Sequence, residues 1–275
     1  MTASISDLVD TRFATKTGIG TNRPATGTHA LQLRHRSFRQ FKTTPVTDET
    51  LQLLYACAMS APSKSDLQQT SIIHIEDADM RGVIHMTLPA MPWIATAPVF
   101  LLFCGDSRRI RRVCEQQGTR FAHDPLDALF NATTDTAMVL QNFIIAAEAE
   151  GLGCCPISAV RAFTKEIAAL TKLPDGVFPL AGLCLGYADS DPAINIRLPL
   201  AATVHKNTYD DSGLEQLITD YDSRRRQKNP YKTQRKISEY GNDPAYGWSA
   251  DKARQTSNAE RLAFSAHIHK HGFSL

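Results

Sequence analysis

Between Arg34 and Phe41 the chain reads RHRSFRQF, so Arg34, His35, Arg36 and Arg39 fall within a few residues around the hydroxyl of Ser37. Guanidinium groups present paired N–H donors at fixed spacing, and an imidazole and a hydroxyl add single ones. The chemistry that needs this density beside an aromatic pair is the binding of a compact dianion such as a phosphate. A helix-terminal surface laced with salt bridges is the alternative. Three further stretches carry polar chemistry. Ser60-Ala61-Pro62-Ser63-Lys64-Ser65-Asp66-Leu67-Gln68 taken alone is a Pro/Ser turn, Arg197 precedes Leu198-Pro199, and the run SRRRQKNPYKTQRK at 223–236 is strongly basic.

Composition limits what these groups serve. A chain of 275 residues can bury a sizeable core, near the upper limit of one compact domain or the lower limit of two unequal ones. A hydrophobic content of 43%, a charged content of 21% and a formal charge of +2 are ordinary for a soluble enzyme and argue against a surface that coats nucleic acid. The first thirty residues lack the apolar core of a secretory signal, and no stretch approaches the roughly 18 apolar residues of a membrane span, so a cytoplasmic protein is expected. Cys57, Cys104, Cys114, Cys154, Cys155 and Cys184 show no CxxC spacing and mostly sit in apolar runs, which points to buried thiols rather than disulfides or a zinc site. His267, His269 and His271 come without acids or cysteines and read as surface residues, so no metal is expected. Gly151-x-Gly153 lacks a preceding strand and a third glycine, so it is no dinucleotide fingerprint.

The elements that must position these groups follow an α/β pattern. Residues 1–30 form an N-terminal extension, polar and broken at Gly18 to Pro24, with a short helix before a surface course. Thr47 caps a helix in which Leu51, Leu54, Tyr55 and Ala58 keep helical spacing and Val46 staples to Leu51; it ends at Ser60. Strands are expected at 70–75, 97–104 and 178–187, with a helix and a Pro-interrupted stretch between the first two. The Ala-rich run 133–150 predicts a buried central helix, which Gly151 and Gly153 end by a positive φ or a close approach. A short helix follows Arg161, and a last helical stretch follows Trp248.

Taken in order, RHRSFRQF, SAPSKSDLQ, Gln141-Asn142 through Gly151-Leu152-Gly153, and Leu183-Cys184-Leu185-Gly186 followed by Arg197-Leu198-Pro199 resemble the flavin-dependent nitroreductase family, nearest to its NADPH-dependent, oxygen-insensitive branch. The resemblance spans 31–209, an FMN-binding core. It leaves 210–275 as a basic and helical C-terminal extension packed on the core or on a partner chain. It implies an α+β fold with a mixed central β-sheet flanked by helices, a homodimer, and non-covalent FMN at sites built from both chains.

By their match to the family's motifs, His35, Arg36, Ser37 and Arg39 would line the ribityl and phosphate side of FMN, with Arg197 closing on the phosphate. Ser63, Ser65 and Gln68 would bond the flavin ring edge, and the main chain of Pro156, Ile157, Ser158 and Ala159 would face the ring. Asn195 stands where the branch has a basic residue, and Met91 where it has a ring-contacting glutamine. Arg261 matches a substrate-side arginine or is a surface residue, and Arg226, with Arg224, Arg225 and Lys228, is either a mobile site for the 2′-phosphate of NADPH or a solvated tail. The resemblance implies an NAD(P)H oxidoreductase in which NADPH or NADH passes hydride to the flavin and a nitroaromatic, quinone or similar flat acceptor removes it by ping-pong turnover, with no protein nucleophile. Flavin reduction or reductive dehalogenation on the same fold, and a non-catalytic flavin- or nucleic-acid-binding protein, are the alternatives; the leading reading involves neither nucleic acid nor a membrane.

Overall fold

The computed structural model describes residues 4–273. In chain order its helices are α1 (Ile5–Phe13), α2 (Gly27–Arg34), α3 (Asp48–Met59), α4 (Ala78–Thr87), α5 (Trp93–Thr96), α6 (Arg108–Gln116), α7 (Pro125–Ala149), α8 (Thr164–Leu170), α9 (Leu214–Lys228), α10 (Ile237–Tyr240), α11 (Trp248–Thr256) and α12 (Leu262–Lys270). Its strands are β1 (Thr70–His74), β2 (Val99–Asp106), β3 (Leu152–Ile157) and β4 (Val177–Tyr187). The chain divides into two compact units. The first takes residues up to 36 together with 193–260, and the second takes 37–192 together with 261 onward.

The second unit is a three-layer sandwich. Its sheet has the order β1-β2-β4-β3. Alternate residues of β2 supply opposite faces. Phe100, Leu102 and Cys104 meet Ile84 of α4, Ile94 of α5 and Ile167 of α8 on one side. Leu101 and Phe103 meet Leu54 of α3 and Phe143 and Ala147 of α7 on the other. With both faces covered, the strand has no solvent side and reads as an unbroken apolar run. Burying each of these large side chains contributes about 1.5–3 kcal/mol.

Local chemistry places the helices. The Thr47 hydroxyl accepts from Thr50 N at the start of α3, and Val46 and Leu51 share one core cluster, as the staple requires. Helix α7 begins earlier than its Ala-rich stretch because Asp124 caps Leu126 N and Asp127 N, with proline in the first turn. Its 25 residues span about 37 Å, which carries the chain back along the sheet before β3.

The expected mixed sheet is corrected: among the described residues β1–β2, β2–β4 and β4–β3 all pair antiparallel. The helical connections return the chain so that β2 and β3 run the same way, yet β4 lies between them. Strand β3 was not expected from the sequence, because glycine and proline weaken a strand pattern. It forms because Gly153 admits a neighbour. A Cβ there would fall 2.7 Å from Cγ of Phe38, whose N–H donates to Cys154 O at 2.9 Å. Gly151, at φ +75, ends α7, so the two glycines act by the two means expected of them.

The first unit is helical. Ile5, Val9 and Ala30 bring α1 and α2 together, with Leu8, Phe13 and Leu33 packed around them. Of the basic run, Ser223 to Lys228 form the end of α9. Its cations lie at the helix C-terminus, where the macrodipole favours positive charge. Among the described residues no helix is long and apolar enough to cross a membrane, and no group of three or more His, Cys, Asp or Glu side chains is placed to hold a metal. All six cysteines are thiols outside any disulfide.

Candidate active site

The unit boundary falls inside the RHRSFRQF motif, between Arg36 and Ser37. His35, Arg36, Arg197 and Arg226 therefore belong to the first unit. Ser37, Arg39, Ser63, Ser65, Gln68, Pro156 to Ala159 and Arg261 belong to the second.

In the first unit, one residue that sequence reasoning missed organises the cationic segments. Arg12 is 6% exposed. It donates through Nε and Nη2 to Leu33 O at 3.2 and 2.7 Å, through Nη2 also to His35 O, and through Nη1 to Asn195 O at 2.9 Å. The main chain answers, with Arg197 N donating to Arg12 O at 2.8 Å. Arg12 thus clamps the segment carrying His35 to the segment carrying Arg197, and all three side chains line one cavity. The Arg197 loop is held from its other side as well: Tyr221 Oη donates to Ile196 O at 3.1 Å, and Ile196 N donates to Asn229 Oδ1 at 3.1 Å. Asn195 meets Arg12 through its carbonyl, so a buried cation reaches this loop although position 195 carries none. Arg36 Nη1 donates to Arg34 O at 3.3 Å, and Arg226 Nη1 to Ala245 O at 3.0 Å.

In the second unit the Ser63–Gln68 loop is fixed by another residue missed in the sequence, Asp135 of α7, which is 1% exposed. Its carboxylate accepts from Ser63 Oγ at 2.8 Å, Lys64 N at 3.0 Å and Gln69 N at 3.1 Å. Ser63 Oγ in turn accepts from Gln68 N at 2.7 Å. Within the loop Ser65, Asp66 and Gln68 hold φ of 51°, 57° and 50°. Left-handed backbone costs an L-residue about 1–2 kcal/mol, and it persists only where surrounding bonds over-determine it. Asp135 supplies those bonds. The Ser63 hydroxyl is engaged within the loop, while Ser65 and Gln68 are exposed.

Both missed residues had a signal. Asp135 falls on the core face of α7 in line with Ala128, Ala132 and Val139, and Arg12 follows Ile5 and Val9 on the buried face of α1. A charge at an apolar-stripe position needs a dedicated partner.

Elsewhere in the second unit, the Arg39 guanidinium stands 5.3 Å from the centre of the Trp93 ring. Burial pushes the Cys155 thiol up while Arg39 pulls it down. Met91, like Phe38 and Ala159, packs against the core cluster around Phe100 and Leu102. At the end of β3, Arg261 Nη2 donates to Ser158 Oγ at 3.4 Å. Arg161, whose pKa is lowered by burial and then by Arg261, donates to Leu180 O at 2.9 Å. Two guanidinium groups therefore stand close to the 156–159 segment. Pro156 and Ser158 are exposed, Ile157 is buried, Ala159 is half-buried, and Arg261 is not the ordinary member of a surface helix but its left-handed N-cap, at φ 60.

Comparison with known proteins is decisive at this point: residues 33–187 match the nitroreductase family and residues 196–275 match the nitroreductase family C-terminal domain. The chain belongs to the nitroreductase family. Among relatives of this nitroreductase, the oxygen-insensitive NADPH nitroreductase of Salmonella typhimurium is 34% identical over 246 residues, covering 87% of this chain and 95% of its own. The FMN reductase [NAD(P)H] of Bacillus subtilis is 36% identical, covering 64% of this chain and 71% of its own. The solved NADPH:FMN oxidoreductase of Vibrio harveyi, complexed with NAD+, superposes with a TM-score of 0.78 at 26% identity, over 89% of this chain and 97% of its own. The nitroreductase match begins at residue 33. Arg12, which clamps His35 to Arg197, comes from the segment that precedes it.

Proposed function

We propose that this nitroreductase-family chain is an FMN-dependent NAD(P)H oxidoreductase that reduces nitroaromatic, quinone or similar flat acceptors by ping-pong turnover, acting as a cytoplasmic homodimer. The observation that carries the reading is the clamp that brings the His35 and Arg197 segments to one cavity through Arg12. An imidazole and guanidinium groups on two fixed backbone segments are the donor set a phosphate monoester takes, so the residues fit the terminal phosphate of FMN. The names of the Salmonella and Vibrio harveyi relatives, which specify NADPH, nitro reduction and FMN, support the same assignment. Thiols outside disulfides agree with a reducing compartment.

Bound FMN supplies a ring that takes hydride from a nicotinamide and passes electrons to an acceptor. The chain's part is binding and electrostatics. In the first unit His35, Arg36 and Arg197 would hold the phosphate; in the second, Ser37 and Arg39 are assigned to the ribityl and phosphate side by their match to the family motif. The loop fixed by Asp135 would offer Ser65 and Gln68 to the ring edge, whereas the Ser63 hydroxyl, bonded to Asp135 and Gln68 N, holds the loop instead of the ring, and the main chain of Pro156 to Ala159 would face the ring. Arg261 and Arg161, beside Ser158, would offer positive charge to a ring that gains negative charge on reduction. Arg226, exposed on α9, receives the 2′-phosphate of NADPH.

A visible spectrum of the purified protein tests this: a flavin band is expected, bleached anaerobically by NADPH or NADH and restored by a nitroaromatic or a quinone. Free FMN should be tried as an acceptor too, because the 36%-identical Bacillus subtilis relative is named for reducing it. The double variant Arg39→Ala/Arg197→Ala is expected to fold but purify colourless. Stoichiometric FMN in that variant would reject the phosphate assignment.

A further inference from the structure

The peptide that joins Gln68 to Gln69 is held at both ends by opposite charges from separate elements of the second unit. Its oxygen, Gln68 O, accepts from Arg109 Nη1 of α6. Its nitrogen, Gln69 N, donates to Asp135 Oδ2 of α7 at 3.1 Å. Turning this peptide over would aim its oxygen at the carboxylate and its N–H at the guanidinium, so both charges oppose the same rotation. The restraint falls where the backbone needs it, because Gln68 is the last of the three left-handed residues in the loop, at φ 50.

Arg109 reaches further along the chain. Its Nη2 stands 3.2 Å from Thr70 O, 3.1 Å from Ser71 Oγ and 3.3 Å from Asp106 Oδ2. Asp106, buried at the end of β2, completes the arrangement. Its Oδ1 accepts from Arg109 N at 3.2 Å, its Oδ2 accepts from Ser71 Oγ, and its own N–H donates to Gln69 O at 3.0 Å. One guanidinium and one carboxylate thus tie the start of β1 to the junction of β2 and α6. A guanidinium suits the task because its N–H donors diverge in a fixed plane, whereas an ammonium offers them from a single point. The Gln68 side chain is ordered as well, with Nε2 donating to Asp66 Oδ1 at 3.0 Å, and the residue remains exposed.

We propose that Arg109 is a positioning residue of the flavin site: through the Gln68–Gln69 peptide it sets the backbone from which Gln68 meets the ring edge. This rests on the oxidoreductase reading, in which the 63–68 loop carries ring contacts. Asp135 grips the peptide from α7, and Arg109 grips its other end from α6. Arg109 itself does not touch the cofactor; it acts through Gln68. Its side chain is 48% exposed, so removing it opens no core cavity, and the loss shows in the loop rather than in the fold.

Arg109→Met keeps the aliphatic stem and removes every donor, and Arg109→Lys keeps the charge. FMN titrated into the full-length protein stripped of flavin, followed by fluorescence, should bind Arg109→Met about tenfold more weakly, the worth of one charge-assisted contact. Arg109→Lys should fall between that variant and the parent. At saturation the visible flavin band of Arg109→Met should differ from the parent's, which a variant that is only less stable would retain. Trypsin cleavage after Lys64, an exposed residue of the loop, should be about tenfold faster in flavin-free Arg109→Met. Arg112→Met, on the same helix and paired with Glu115, should match the parent throughout. FMN affinity within twofold of the parent with an unshifted band, or weakened affinity with cleavage at Lys64 unchanged, would overturn the proposal. A parent protein that takes up no FMN would count against the oxidoreductase reading instead, and cleavage of the same variants would still decide whether Arg109 sets the loop.

Discussion

Arg12 and Asp135 are buried charges that touch main chain more than side chain, and each fixes a segment carrying assigned flavin contacts. A charge leaves water only where hydrogen bonds replace its hydration. Asp135 meets that demand with two backbone N–H groups and the Ser63 hydroxyl, and in return it holds three left-handed residues in a loop whose sequence would otherwise relax. Asp135→Ala leaves those donors without an acceptor, at a cost of roughly 2–4 kcal/mol. We expect urea unfolding to show that loss and a fluorescence titration to show FMN binding weakened about tenfold. A variant as stable as the parent, with affinity within twofold, would show that the loop keeps its form without the carboxylate.

At the scale of elements, the ends of helices do much of the positioning. The C-terminal turn of α9 gathers Arg225, Arg226 and Lys228 where the helix dipole welcomes cations. Helix α12 carries a pH response. Burial, then the cations of His271 and Lys270, lower the pKa of His267, and burial is also the main cause of the lowering at His74. The folded state therefore favours the neutral rings, while the unfolded chain protonates near the ordinary value of about 6.5. Stability from this source is complete above that pH and is lost as pH falls below it toward the depressed folded values. Thermal scans should give a lower midpoint at acidic than at neutral pH, well above the range where carboxylates titrate, and His267→Gln should make the decline shallower. An unchanged pH slope in that variant would remove His267 from the account.

At the scale of the whole molecule, Leu126 and Phe130 project from consecutive turns of α7 at 48% and 64% exposure, and Leu262 of α12 is 73% exposed. Large side chains left in water on a well-packed unit favour burial against another surface, which supports the proposed homodimer. Sedimentation under assay conditions should find a dimer, and Phe130→Asp should shift it toward monomer with loss of turnover. A fully active monomer would contradict a site completed by two chains.

The sequence alone determined the chemistry on offer and most of the elements. Residue type and order nominate Arg36, Arg39 and Arg197 for the proposed site, and caps and apolar spacing mark the helices, because those signals are local. Strand β3 and the antiparallel sheet were decided only by tertiary structure, since Gly153 makes sense beside Phe38 and pairing direction depends on where a 25-residue helix returns the chain. The same holds for Asp135 and Arg12. Their neighbours in sequence reveal only that a charge sits on a buried face, and the partners that make such burial tolerable lie 66–72 residues away for one and 21–183 for the other.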